Sequence, residues 1–71
     1  MKKYVLAHKR TALHYRTESL TELMEKLKFM ESEGDDLDDS IVIELDAEDL
    51  KNSPPICRTA TAFIKSVRRG P

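Results

Sequence analysis

The strongest constraint on the fold is a capped amphipathic segment at residues 19–33. Ser19 and Glu22 have the spacing of a capping box, in which the serine side chain accepts a hydrogen bond from the third helical N–H and the glutamate reaches back to the cap. Apolar residues then recur at helical spacing, and Gly34 is a typical C-terminal stop. These apolar positions are Leu20, Leu23, Met24, Leu27 and Met30. The segment therefore predicts a helix with one core-facing stripe.

A second helix is predicted after Ser53, which would cap a first turn that contains Pro54 and Pro55. Proline suits this position because the first N–H groups of a helix have no partner inside it. An apolar stripe follows at helical spacing and consists of Ile56, Ala60, Phe63, Ile64 and Val67. Gly70 and Pro71 are expected to end this helix.

Three segments have the pattern of strands. Residues 40–45 are β-branched and partly alternating, which predicts a strand. Residues 2–8 and 11–17 are expected to form a hairpin with Lys9 and Arg10 at its tip. Because Lys-Arg is not a preferred two-residue turn, a four-residue loop is an equal alternative. With either loop, one face of the hairpin carries Tyr4, Leu6, Leu13 and Tyr15, since strand side chains alternate.

The element order ββαβα predicts one small α+β domain over residues 1–71. A right-handed crossover through the first helix would place the third strand parallel to the second. Two helices would then cover one face of a small three-stranded mixed sheet, in a two-layer arrangement. A core of this size gives marginal stability, which makes a homodimer a candidate arrangement.

Charge is segregated along the chain, although the formal net charge is only −1. Residues 1–17 contain five bases and no acid, residues 31–50 contain ten acids and no base, and residues 51–71 contain five bases and no acid. The small net charge argues against a globally basic nucleic-acid binder and against a polyanionic tail. Most of the acids lie in a predicted loop at about 31–40 and in a connection at 46–53.

The acidic segment allows four interpretations. A calcium loop that starts at Asp36 would need glycine where Ile41 stands and glutamate where Ala47 stands, so the EF-hand pattern fails. Catalysis by paired carboxylates needs two different environments, whereas the acids of one polar loop all ionise. Two interpretations stay open: a docking surface that attracts a cationic partner, and a solvated loop that keeps a small protein soluble.

Phe29 lies opposite the Leu/Met stripe of the first predicted helix, on a charged face. An exposed phenylalanine there is a candidate anchor for a partner. In the alternative, the helix ends near Lys28 and Phe29 folds back over the core. The leading hypothesis is a non-enzymatic interaction module, an adaptor or inhibitor, that binds a basic partner protein. Its candidate partner-binding residues are Phe29, Glu33, Asp35, Asp36, Asp38 and Asp39.

The alternative hypothesis is a small nucleic-acid-binding regulator. On the second predicted helix, Arg58, Lys65 and Arg69 lie opposite the apolar stripe, where they could follow a row of phosphates. The hairpin tip would add Lys9 and Arg10. Single-strand binders place aromatic residues among their bases, and aromatic residues make up only 6% of this chain.

The sequence shows no catalytic, cofactor-binding or metal-binding motif, so no enzyme activity, cofactor or metal is predicted. His8 and His14 are expected on opposite sheet faces, and zinc needs at least three well-placed ligands. The single cysteine, Cys57, excludes an internal disulfide and is expected in the first turn of the second helix. No apolar run approaches the roughly 20 residues that span a bilayer, so we expect a cytoplasmic protein without a membrane partner.

Overall fold

The computed structural model describes residues 2–11, 14–46 and 48–69, with Arg69 described by its backbone alone. Over these residues, two helices pack on one face of a four-stranded antiparallel sheet of order β2-β1-β3-β4. The elements are β1 (Lys2–His8), β2 (His14–Thr17), α1 (Leu20–Ser32), β3 (Ser40–Asp46), β4 (Ile56–Thr59) and α2 (Ala60–Arg69), with a 3-10 turn at Leu37–Asp39. The α+β class and the helix layer are confirmed.

The sheet differs from the prediction in the number and order of its strands. β1 lies between β2 and β3 and is antiparallel to both. β3 therefore runs parallel to β2, as the crossover predicts, but is not its neighbour. The three-stranded mixed sheet was wrong, because β1 pairs with β3 over seven residues, from Lys2 opposite Asp46 to His8 opposite Ser40. The four-residue β2 offers a shorter ladder of backbone hydrogen bonds.

The strand that the sequence did not predict is β4, so the element order is ββαββα rather than ββαβα. Proline at positions 54 and 55 disfavours helical angles in the residue before each ring, which keeps this approach to the sheet extended. β4 then pairs antiparallel with β3, with Ile43 opposite Cys57. Ile56 is 44% exposed and does not belong to the helical core stripe that the sequence predicts.

The second helix begins at Ala60, and the predicted cap at Ser53 was wrong. Thr59 occupies the capping position, since its Oγ1 accepts a hydrogen bond from the N–H of Ala62 at 3.1 Å. The first helix follows the prediction more closely: Ser19 Oγ accepts from the N–H of Glu22 at 3.2 Å. The two helices thus differ in how directly their starts can be located from the sequence.

The hairpin register excludes the two-residue turn at Lys9 and Arg10. Ala7 lies opposite His14, whereas that turn would place position 7 opposite position 12. Tyr4, Leu6 and Tyr15 share one face as predicted, because Leu6 pairs with Tyr15 and strand side chains alternate. Leu13, Gly70 and Pro71 lie outside the described residues.

One apolar core lies between the sheet and the helices. The rings of Tyr4 and Phe63 meet edge to face with their centroids 6.1 Å apart. Leu23, Leu27 and Val42 are completely buried. The buried apolar residues are Tyr4, Leu6, Leu23, Leu27, Leu37, Val42, Ala60, Phe63 and Ile64. The Cα extents of 37 × 30 × 17 Å are those of a two-layer slab.

The opposite side of the sheet carries no described helix, and we call it the open face. Its central strands contribute half-buried aliphatic residues, such as Val5 on β1 and Ile43 on β3. Its strand positions are Lys3, Val5, Ala7, His14, Arg16, Ile41, Ile43, Leu45, Cys57 and Thr59. The sheet is therefore apolar at the centre of both faces, and the two described helices pack on one of them.

Candidate interaction surface

Phe29 is exposed on α1, as the leading hypothesis requires. Its side chain is 58% exposed, and α1 continues to Ser32. The alternative, in which the helix ends near Lys28 and Phe29 covers the core, was therefore wrong. We call Phe29 and the acids that follow α1 the acidic surface; its residues are Phe29, Glu33, Asp35, Asp36, Asp38 and Asp39.

Lys26 holds a position between two aromatic rings. Its Nζ lies 5.9 Å from the ring centroid of Phe29 and 5.7 Å from that of Tyr15, within the range of cation–π contacts. The lysine packs against Phe29 while more than half of that residue faces solvent. Lys26 was not predicted as part of this surface, although its spacing of three residues from Phe29 is the helical signal for such a contact.

The end of α1 fixes where the acidic residues begin. Gly34 has a φ of +85°, a left-handed conformation that glycine adopts without a steric cost. The N–H of Gly34 donates to the Glu31 carbonyl at 3.1 Å, and the N–H of Asp35 donates to the Met30 carbonyl at 3.0 Å. This is the hydrogen-bond pattern of a Schellman motif, which turns the chain away from the helix. The following carboxylates thus lie beside the last helical turn.

The loop after Asp35 is anchored rather than simply solvated. Leu37 is 8% exposed and packs in the core. Asp36 Oδ1 accepts from the N–H of Asp38 at 2.9 Å, and the Asp36 carbonyl accepts from the N–H of Asp39 at 3.0 Å. Asp35, Asp36 and Asp38 keep exposed side chains on this defined backbone.

Asp39 is engaged within the molecule. Its carboxylate oxygens lie 3.1 and 3.3 Å from Arg10 Nη2, and its carbonyl accepts from the N–H of Lys9 at 2.7 Å. The tip of the basic hairpin therefore rests against the acidic loop. This contact neutralises part of the charge of Asp39, and it occupies Arg10, which was a candidate for phosphate binding.

The charge at the end of α1 is electrostatically unfavourable. A helix carries partial negative charge at its C-terminus, where cations stabilise and anions destabilise. The last turn of α1 contains no basic residue, and Glu31 and Glu33 stand there instead. Asp35 and Asp36 follow within a few residues. A cationic partner at this position would therefore relieve repulsion that the fold leaves in place.

A cleft of about 480 Å³ lies beside the acidic surface, between the hairpin and α1. Its size is within the range of small-ligand pockets. Its floor includes Ser40, which is 1% exposed and whose Oγ has no hydrogen-bond partner among the described residues. The lining residues are Leu6, His8, Thr11, His14, Tyr15, Lys26, Met30, Asp35 and Ser40. Because Asp35 belongs to both, the cleft and the acidic surface are continuous.

The candidate phosphate-binding residues do not form one helical stripe. Arg58 lies on β4 opposite Val42, so its predicted position on the second helix was wrong. Lys65 is exposed on α2, and the side chain of Arg69 is outside the described residues. Lys9 remains exposed at the hairpin tip. Arg58 and Lys65 therefore do not lie on one helix face.

The other sequence candidates form no recognisable site of their own among the described residues. His8 and His14 both line the cleft at the end of the hairpin, but the register assigns them to opposite sheet faces, because His14 pairs with Ala7 rather than with His8. Cys57 is exposed on β4 instead of lying in the first turn of a helix. Within residues 2–11, 14–46 and 48–69, no three His, Cys, Asp or Glu side chains are arranged to hold a metal ion. No helix in this part of the chain is long and apolar enough to cross a membrane.

The chain was compared with known families, curated proteins and solved structures. No family model, no curated protein and no solved structure matches it. What the acidic surface can bind must therefore be argued from the chemistry of its own residues.

Proposed function

We propose that this protein is a non-enzymatic interaction module, an adaptor or inhibitor, that binds a basic partner protein through the acidic surface. The observation that best supports this function is the exposed ring of Phe29 next to a helix end that carries acids and no base. Apolar anchors surrounded by charge are typical of protein–protein contact sites.

The two kinds of residue in the acidic surface would act differently. The carboxylates of Asp35, Asp36 and Asp38 raise the local negative potential, which speeds encounter with a cationic protein. Phe29 would supply affinity, since complete burial of a phenylalanine side chain contributes about 1.5–3 kcal/mol. Phe29 is already partly covered, so its contribution would lie at the lower end of that range.

The expected partner surface follows from this arrangement. It would present an apolar groove for Phe29, with lysine or arginine side chains at its rim to meet Asp35 and Asp36. A partner side chain could enter the neighbouring cleft and reach the unpaired hydroxyl of Ser40. Arginine suits the carboxylates best, because its planar guanidinium can bind one carboxylate with two hydrogen bonds.

Nucleic-acid binding has less support from the geometry. Arg10 is engaged with Asp39, and Arg58 does not lie on the same element as Lys65. Tyr4 packs in the core and Tyr15 is half-buried next to Lys26, so neither ring is free to stack on a base. The basic residues are also interrupted by the acidic surface itself at the hairpin tip.

Affinity capture tests the proposal. The tagged protein would be compared with a variant in which Asp35, Asp36, Asp38 and Asp39 are all changed to asparagine, and with Phe29→Ala. Leu50→Ala is a matched control, because Leu50 is 51% exposed and lies in the other acidic segment of the chain. Glu25→Gln is the charge control, since it removes one exposed carboxylate of α1 outside the acidic surface.

The expected result is a basic partner that both acidic-surface variants lose and both controls retain. Binding of that partner should also weaken as salt is raised, because exposed charges are screened over about 8–10 Å at physiological ionic strength. An unchanged set of captured proteins would contradict the proposal. So would retarded migration of duplex or single-stranded nucleic acid that disappears in the Arg58→Glu, Lys65→Glu double variant.

A further inference from the structure

The open face of the sheet has a regular chemical pattern. The register aligns its positions into rows that cross all four strands. One row reads Arg16, Val5, Ile43 and Cys57 from β2 to β4. The next row reads His14, Ala7, Ile41 and Thr59. The centre of each row is aliphatic, the β2 edge is basic, and the β4 edge is small and uncharged.

We propose that a second copy of this chain covers the open face, so that two sheets pack face to face in a symmetric dimer. The two-fold axis would run along the strands, between β1 and β3. Val5 of one copy would then lie over Ile43 of the other, and the reverse contact would occur at the same time. The product is a four-layer assembly with the helices outside.

The placement of charge selects this axis. A two-fold axis along the strands puts β2 of one copy over β4 of the other, so that Arg16 faces Cys57. An axis across the strands would instead place β2 over β2 and bring the two basic edges, each with an Arg16, against each other. Like charges in such a contact are destabilising. The row pattern is therefore self-complementary in one orientation and repulsive in the other.

The area of the face sets the expected affinity. β1 and β3 have seven residues each and β2 and β4 four each, so at about 3.4 Å per residue and about 4.8 Å between strands the face covers roughly 360 Å² on each copy. Two such areas give roughly 700 Å² in total, which is below the roughly 1,000 Å² of a stable specific interface and within the size of weak, transient contacts. We therefore expect a weak dimer with a dissociation constant between about 1 µM and 1 mM.

Other occupants fit the face less well. Single-stranded nucleic acid stacks on aromatic rings, and none of the strand positions of the open face is aromatic. An acidic protein would need cations, but Lys3 already lies 3.8 Å from Glu18, which leaves Arg16 as the principal one. A second copy would cover the aliphatic centre of this face with an aliphatic centre of the same shape.

Sedimentation equilibrium on two complementary variants tests the proposal. Val5→Lys and Ile43→Glu should each raise the dissociation constant at least about tenfold, because each would bury an unpaired charge twice in the dimer. A mixture of the two single variants should recover dimers. In a mixed dimer the introduced lysine would face the introduced glutamate, and at the other contact the unchanged Val5 would face the unchanged Ile43. Circular dichroism of each variant establishes that it is folded.

Ile56→Lys is the matched control, because Ile56 is an exposed isoleucine on the other side of β4. This change should leave the wild-type dissociation constant within about twofold. A wild-type protein that stays monomeric to about 1 mM would overturn the proposal, as would a dimer that Ile56→Lys weakens as much as Val5→Lys does. Failure of the mixture to dimerise would overturn the strand-parallel axis. None of these results bears on the acidic surface, which lies on the helix side of the molecule.

Discussion

The two faces of the sheet have similar residues and different surroundings. On β3, Val42 is completely buried against the helices, whereas its neighbour Ile43 is half-buried on the open face. Both are β-branched, and alternation alone assigns them to opposite sides. The difference shows that apolar patterning of a strand specifies two faces but does not say which neighbour covers each of them.

Shortening one side chain on each face to alanine should give the largest difference in the free energy of unfolding. Leu27→Ala removes a completely buried side chain from the helix-covered core and should cost about 2–5 kcal/mol in the free energy of unfolding. Ile43→Ala should cost about 1 kcal/mol in dilute solution, where the open face is half-exposed. Urea denaturation of each variant measures both values. Equal costs would show that the open face is packed within a single chain.

Substitutions at the boundary between β4 and α2 should change the free energy of unfolding by an intermediate amount. Thr59→Ala removes the cap on the N–H of Ala62 and should cost about 1 kcal/mol, which Thr59→Ser should largely recover. Ser53→Ala should change the unfolding free energy by less than about 0.5 kcal/mol, because Ser53 caps no helix. The same denaturation measurement checks all three variants. If Ser53→Ala proves the costlier change, the helix begins where the sequence alone suggests.

The contact between the hairpin tip and the acidic loop should give the smallest effect. Arg10→Ala breaks an ion pair with Asp39 whose arginine side chain is 75% exposed. Exposed pairs of this kind contribute about 0.2–1 kcal/mol, and salt weakens them. We expect the difference from wild type to shrink in unfolding experiments at high salt. A larger loss that salt does not change would mean that Arg10 acts through packing instead.

Local signals in the sequence were sufficient for the parts of the fold that local interactions determine. Ser19 and Gly34 mark the two ends of α1 because capping and left-handed backbone depend on neighbouring residues. The strand at 40–46 could be recognised from its β-branched run. The acidic surface could be proposed for the same reason, since its charges and Phe29 lie within eleven consecutive residues.

The features that escaped prediction depend on long-range pairing. Residues 56–59 have an apolar spacing that continues into a helix, and only pairing with β3 makes them a strand. The order of the strands follows from the length of the β1–β3 ladder, which no local pattern reveals. The misplacement of Arg58 and Cys57 has the same origin, because both residues were assigned to a helix that begins later. The open face went unnoticed because it exists only once the strands are ordered.

Amide chemical-shift mapping would locate the partner-binding residues one by one. Isotope-labelled protein would be titrated with the partner obtained by affinity capture, at low and at moderate salt. We predict that the shifted amides cluster on the acidic surface, around Phe29 and residues 33–38, and that the changes diminish as salt is raised. Shifts concentrated instead on Val5 and Ile43 of the open face, or on α2 around Lys65, would contradict partner binding through the acidic surface.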